Sequence, residues 1–202
     1  MTEPTGPHES AWSGATPLDP DDAAGLALTW VATRADLDAA EQANILAALR
    51  RPRWRRPPTS TLLTDTAVRR LHQDMFGDVW TWAGTYRRYE ASIGIDPHHI
   101  SVAVRDLVLD AAYWFGGAAA MTPDAAAWTF HHRLVSIHPF PNGNGRHSRL
   151  LTDLLLRAKG EQPFTWGRAG RDLDGNVRDT YLAALRAADT GDYEPLSRFV
   201  RA

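Results

Sequence analysis

Pro139 and the run Gly143-Asn144-Gly145 break the chain between two stretches that otherwise read as helix. That break constrains the fold more than any other feature. The stretch before it, Ala125 to Ile137, is introduced by Thr122-Pro123-Asp124: a capping hydroxyl, a proline at the first helical position and an early acid. It ends at His138, because a proline disfavours the α conformation for the residue before it. The stretch after it, Arg146 to Ala158, sets Leu150, Leu151, Leu154 and Leu155 at helical spacing and stops at Gly160. The glycines therefore sit in the turn that opens the second helix, where unpaired N–H groups and the helix dipole favour an anion. Arg146 and Arg149 fall near one face of the first turns, where guanidinium forks can clamp phosphate oxygens. His138, at the rim, titrates in the range a general base needs. No Gly-Lys-Ser/Thr follows and no G-x-G-x-x-G trails a strand, so neither a Walker loop nor a dinucleotide fingerprint is present. These residues point to a phosphate site beside a base. The plainer alternatives are a packing histidine, an ordinary turn and a solvated arginine pair.

Elsewhere helical signals dominate. Residues 1–16 have little apolar content and are expected to be disordered, and Asp19-Pro20-Asp21-Asp22 reads as a helix start. Thr33 caps a helix through Leu37, Ala40, Ile45 and Leu49, which the basic, proline-rich linker from Arg50 to Pro58 ends. Thr64 or Asp65 to Met75 forms the next helix. Tyr86 to Ile95 is the one hairpin candidate. Ser101 is expected to cap a helix with Val104, Leu107, Val108 and Ala111 on one face, ended by Gly116-Gly117. Asn176 to Ala188 and Pro195 to Arg201 complete a mainly α fold: a helical extension over 17–60 and a main domain over 61–202.

Composition excludes several classes of chemistry. The chain has no cysteine, so disulfides, thiolate metal sites and a cysteine nucleophile are ruled out. The N-terminus lacks a basic-then-apolar leader and no apolar run approaches the ~18 residues of a membrane span, which predicts a cytoplasmic protein with no membrane partner. A net charge of −2 offers no general attraction to nucleic acid. The arginine-rich linker is more readily a solvated or acid-paired loop than a nucleic-acid patch. His131 and His138 stand two turns apart, but no His-Glu-x-x-His or paired carboxylate accompanies them, so His131 reads as a packed or hydrogen-bonded side chain. The eight tryptophans, Trp80, Trp82 and Trp128 among them, read as core and rim packing.

The run His138-Pro139-Phe140-Pro141-Asn142-Gly143-Asn144-Gly145-Arg146-His147-Ser148-Arg149 resembles the signature of the Fic family, H-x-F-x-[D/E]-G-N-G-R-x-x-R; Asn142 alone departs from it. Phe76 to Arg87 resembles the family's lead into its β-hairpin flap, and Tyr181 to Leu185 with Gly191-Asp192 its closing helices. The likeness covers roughly Leu62 to Val200. Thr33 to Leu37 and Glu41 to Ile45, with Pro141 to Arg146, are most similar to the branch called mobile mystery protein B.

The resemblance implies a Fic fold, a helical bundle with a hairpin flap and an N-terminal helical extension. It implies a protein adenylyltransferase in which a Tyr, Ser or Thr hydroxyl of a target protein attacks the α-phosphate of ATP. His138 would take the proton. Gly143, Asn144 and Gly145 would form the anion hole, the Asn144 amide included, and Arg146 and Arg149 would hold the β- and γ-phosphates. Phe140 would anchor the loop. Tyr86, Arg87, Ile93, Gly94 and Ile95 would belong to the flap that pairs with the target by strand addition. Asn142 stands where the family's carboxylate holds Mg²⁺ and would supply a neutral oxygen, hence weaker metal binding. Glu41 is the candidate for an inhibitory glutamate paired with Arg149, and an antitoxin or regulatory partner is the other source of control for a toxin-like member. Three further readings stay open: a Doc-type phosphotransferase, removal of AMP from a modified protein, and a weakly catalytic nucleotide-binding regulatory module.

Overall fold

Thr33 opens the first helix by the mechanism its sequence suggests. Its hydroxyl accepts from the Asp36 N–H at 3.1 Å, and the Asp36 carboxylate accepts from the Thr33 N–H at 2.9 Å, a reciprocal capping box. The computed structural model describes residues 25–31, 33–117, 119–167 and 176–202. The expectations for 1–16 and for a helix start at Asp19 lie outside them. In chain order the helices are α1 (Arg34–Arg50), α2 (Thr59–Leu62), α3 (Asp65–Phe76), α4 (Ile100–Phe115), α5 (Pro123–Ile137), α6 (Asn144–Ala158), α7 (Asn176–Asp189) and α8 (Glu194–Arg201). Short 3₁₀ turns at Pro52–Trp54 and Pro97–His99 lie between them.

The fold is mainly α, as expected, and its α5–turn–α6 pair is the centre. Phe130, Leu134, Phe140, Leu151, Leu154 and Leu155 are all essentially excluded from solvent, and Leu71, Met75 and Phe76 of α3 and Val104 and Leu107 of α4 close over them. Burial of that many large side chains, at roughly 1.5–3 kcal/mol each, supplies the force that holds the helices together. Thr122 caps α5, accepting from the Ala125 N–H at 3.1 Å. The α4 start differs from expectation. Asp96 caps the Pro97–His99 turn, which runs straight into α4 at Ile100, and Ser101 lies inside the helix.

The basic linker is pinned to α3 by one buried acid. Asp74 accepts from Trp54 Nε1 at 2.8 Å and Arg51 Nη1 at 2.9 Å, with Arg53 and Arg70 each at 3.5 Å. A carboxylate with this many donors tolerates burial that would otherwise be costly. Asn44 clamps α1 to the same region: its amide donates to the Asp74 carbonyl and Asp78 Oδ2, and its oxygen accepts from the Asp78 N–H.

Among the described residues there is no strand; one isolated antiparallel bridge joins Leu26 to Trp80. The hairpin expected over Tyr86 to Ile95 is absent. The reason is where its main chain bonds: the Arg87 N–H donates to the Pro139 carbonyl at 2.9 Å and the Ile95 N–H to the Ile137 carbonyl at 3.4 Å. Both limbs of the segment dock on the α5–α6 turn rather than on each other.

Candidate active site

Proline and glycine shape the turn as anticipated. His138 caps α5 in the left-handed conformation (φ 51°, ψ 60°), and Gly143 opens α6 at φ 76°. Gly143 is required twice over, since a β-carbon there would stand 2.6 Å from the Phe76 ring. Gly145 is different. Its φ is ordinary and a β-carbon would meet nothing within 4 Å. Nothing within the described fold asks for glycine at this first-turn position, so its backbone is left open to whatever approaches from outside.

The Asn144 side chain does not face outward. It is 4% exposed; its oxygen accepts from the Phe140 N–H at 2.9 Å and its amide donates to the Phe140 carbonyl at 2.7 Å. The side chain thus ties the loop closed through its oxygen and one of its two amide N–H groups. Phe140 anchors the loop in the core as expected, with a fully buried ring stacked on His72 at 3.8 Å.

His72, which sequence reasoning passed over, supports the turn from beneath. It is fully buried; its Nδ1 accepts from the Gly84 N–H at 3.0 Å, so its Nε2 carries the proton and donates to the Asn142 carbonyl at 3.0 Å. Burial, together with the neighbouring His147, holds its pKa well below the usual 6.5. A lone histidine in α3 lies outside any motif, so no local pattern announced it. His147 Nε2 donates to the Val68 carbonyl at 2.9 Å and ties α6 to α3.

His138 sits half-buried under the 86–95 segment. A β-carbon on Gly94 would lie 2.7 Å from the His138 Cβ, which explains glycine at φ 116° there. Burial first, and then the Arg87 charge, lower the imidazole pKa to about 4, with the Val135 carbonyl opposing both. The ring is therefore neutral at physiological pH. Its Nδ1 is buried without a well-formed hydrogen bond.

Of the flap residues, Arg87 is an internal joint, 3% exposed. Its Nε donates to the His138 carbonyl at 2.7 Å, Nη1 to the Tyr89 carbonyl at 2.9 Å, and Nη2 to the Ile95 carbonyl. Tyr86 also turns inward, donating to Asp65 Oδ1 at 2.6 Å with its ring near Phe140. Ile95 is partly buried against the core. Ile93, 50% exposed, and Gly94 are presented outward.

The two motif arginines differ. Arg146 Nη1 lies 2.6 Å from Glu41 Oε2, and its guanidinium rests 5.0 Å from the Phe76 ring centre. Glu41 is 2% exposed and also accepts from Trp80 Nε1 at 2.7 Å. The expected pair of Glu41 with Arg149 is thus replaced by a pair with Arg146, because α1 packs along α3 and Arg146 is the motif arginine that reaches over Phe76 of that helix. Arg149 donates from Nε to the Gly145 carbonyl at 3.2 Å and lies over Tyr181. Beneath it, Ser148 Oγ bonds His131 Nδ1 and His131 Nε2 bonds the Tyr181 hydroxyl. Burial and then the Arg149 charge keep His131 neutral, with a pKa of about 3. His131 is a hydrogen-bonded core residue, as anticipated.

Asn142 Oδ1 accepts from the Gly143 N–H at 2.7 Å. It offers one neutral oxygen, already engaged, and among the described residues no three acidic or histidine side chains converge. The donor set does not fit a divalent cation held by protein ligands.

The model of the Fic/DOC family matches residues 62–156. Protein adenylyltransferase fic-1 of Caenorhabditis elegans is 31% identical over 124 residues, covering 58% of this chain and 22% of that protein. Protein adenylyltransferase Fic of Drosophila melanogaster is 32% identical over 144 residues, 68% and 27% respectively. The chain thus spans about a quarter of the length of these curated relatives. Among solved structures, a single-substitution variant of Fic-1 from C. elegans superposes with a TM-score of 0.61 at 26% identity, over 82% of this chain and 48% of that one. BepC from Bartonella tribocorum, with bound AMPPNP, shares the fold at a TM-score of 0.64 and 17% identity, over 85% and 87%.

Proposed function

We propose that this chain, whose residues 62–156 match the model of the Fic/DOC family, is a protein adenylyltransferase, moving AMP from ATP to a Tyr, Ser or Thr hydroxyl of a target protein. The hydroxyl oxygen bonds to the α-phosphorus, the bond from that phosphorus to its bridging oxygen breaks, pyrophosphate leaves, and the hydroxyl proton goes to His138. A buried Nδ1 leaves Nε2 as the nitrogen for the acceptor, and a neutral ring holds the lone pair the step needs. With the Gly143 N–H taken by Asn142 Oδ1, the main-chain N–H groups of Asn144 and Gly145, at the N-terminus of α6, face the phosphates. Arg146 and Arg149 offset the charge of the leaving pyrophosphate. Ile93 marks the edge at which an extended target segment docks.

The observation that carries this reading is the open space over Gly145. A helix glycine costs up to about 1 kcal/mol relative to alanine, and close approach of a phosphate to the backbone is what offsets it. The unbroken Gly143-Asn144-Gly145 favours AMP transfer over the Doc-type phosphotransfer, whose chains carry lysine at that third position. A divalent cation, Mg²⁺ in this reading, arrives on the triphosphate.

Control centres on Glu41. It pairs with Nη1 of Arg146 from a buried position, and in this reading that pair competes with phosphate for the guanidinium until α1 releases it. An antitoxin or regulatory partner that displaces or locks α1 is the corresponding external control. The α1 sequence supports placement in the mobile mystery protein B branch, and the reading suits the cytoplasm, where ATP and protein hydroxyls meet.

Incubation with α-labelled and γ-labelled ATP in a cell lysate tests the reading. Protein label from the α position alone is expected; label from γ would make the chain a kinase, and nucleotide binding without label a regulatory module.

A further inference from the structure

Arg51 and Arg53 of the basic linker are satisfied by Asp74. Arg55 and Arg56 are not. They are exposed, and with Pro57 they form one side of a cleft of about 380 Å³ whose other side is the end of α6, Leu154 and Arg157. Leu154, 1% exposed, is its apolar floor. The chain carries 24 acidic side chains against 22 Lys and Arg, yet among the described residues no carboxylate lines this cleft. Among the described residues none stands within ion-pair distance of Arg55, Arg56 or Arg157. Asp153, one turn before Arg157, accepts instead from Trp166 Nε1 (3.1 Å) and the Phe164 N–H (3.2 Å).

Three guanidinium groups around one hollow repel one another, and a compact multivalent anion converts that repulsion into attraction. Arg157 also complements the dipole at the C-terminus of α6, but Arg55 and Arg56 have no helix end to serve. Planar forks suit tetrahedral oxyanions, which they grip through two bonds each. A nucleic-acid duplex needs a stripe of phosphate contacts, which three arginines in a chain of net charge −2 do not provide.

We propose that the cleft formed by Arg55, Arg56 and Arg157 is a second anion site that binds a compact oligophosphate, either free pyrophosphate or the polyphosphate end of a nucleotide. It is separate from the Gly143–Gly145 turn: Arg157 is thirteen residues along α6 from Asn144, about 20 Å at 1.5 Å per residue. The proposal is independent of the adenylyltransferase reading.

Calorimetric titration of the full chain carrying Arg146→Gln and Arg149→Gln, with pyrophosphate and separately with ATP, removes the guanidinium groups of the other phosphate site. Binding that persists, weakens with added salt, and falls about tenfold or more when Arg55→Gln, Arg56→Gln and Arg157→Gln are added is expected. Pyrophosphate binding alone identifies the free anion, ATP binding alone a nucleotide, and both the shared chemistry. Loss of all binding in the Arg146/Arg149 variant, or no change on adding the three glutamines, would overturn the proposal. Arginine Nε–H resonances of the unsubstituted protein give the same answer without mutation: shifts at Arg55, Arg56 and Arg157 are expected, and their absence at saturating pyrophosphate and ATP refutes the site.

Discussion

Glu41 Oε2 lies 2.6 Å from Arg146 Nη1 while its other oxygen takes the indole N–H of Trp80, so one buried carboxylate joins α1, the loop after α3 and the opening turn of α6. Such a contact either restrains Arg146 from phosphate or holds it ready, and the two roles separate experimentally. Glu41→Gln keeps an acceptor for Trp80 and removes the charge. Restraint predicts tighter ATP binding and about tenfold more target or self-labelling, beside a stability loss of about 1–3 kcal/mol. If labelling and ATP affinity both drop in Glu41→Gln, the glutamate is a strut for Arg146 and control lies elsewhere.

His138→Ala is expected to lower transfer by about 10²–10⁴-fold, the usual contribution of a general base, with ATP affinity largely kept. Single-turnover labelling beside calorimetric ATP binding measures both. Parental rates in the alanine variant would remove His138 from the mechanism.

Gly145→Ala separates fold from function. The site has an ordinary φ and open space, so the variant should melt at the parental temperature or higher, by up to about 1 kcal/mol of added stability. ATP binding should weaken by about tenfold or more as the methyl occupies the approach to the backbone. Unchanged nucleotide affinity would move the phosphate away from this turn.

The pH profile of kcat/KM reports the free protein, in which His138 titrates near 4. Its acid limb should therefore fall near pH 4 rather than 6.5. Bound triphosphate brings negative charge to the ring and favours the imidazolium, so the acid limb of kcat should lie at higher pH than that of kcat/KM. Coincident limbs near 6.5 would show that the ring is solvated in solution.

Stability has its own acid dependence. His72, His131, His138 and His147 all have folded pKa values lowered by burial, to about 3 for His131 and about 4 for His138 and His147. The unfolded chain takes up protons at these groups below about 6.5 and the folded chain does not, so their stabilisation is complete above 6.5 and is lost as pH falls toward 4. Asp153, raised to about 6 by burial, acts in the opposite sense: the folded state holds its proton between about 4 and 6 while the unfolded state releases it. Four histidines less one aspartate leave a net uptake of about three protons on unfolding near pH 5. Urea midpoints between pH 4.5 and 7 measure this uptake. A flat profile would mean the histidines are not buried as neutral rings.

The α5–turn–α6 unit was legible because its signals are local. Thr122, Pro139, Gly143 and Gly160 act on their own φ and ψ or on N–H groups within a turn, so spacing along the chain is enough to place them. The same is true of the Thr33–Asp36 capping box and of the position of His138 beside the glycine turn. What the sequence did not determine was which polar group each side chain would find across the fold. Asn144 bonds the Phe140 main chain in both directions, because a buried loop must satisfy its own polar groups. Arg87 was expected on a target and instead joins three carbonyls, the farthest 51 residues along the chain from it. The hairpin failed for the same reason: the 86–95 limbs found partners at Ile137 and Pro139 rather than in each other. Glu41 met Arg146 rather than Arg149 because α1 packs on α3, beside the Phe76 ring over which Arg146 lies. His72 carries no motif at all, since its two hydrogen bonds and its stack exist only once α3, Gly84 and the Phe140 loop are brought together. Local conformational preference was written in the chain; the pairing of buried polar groups was settled only by tertiary contact.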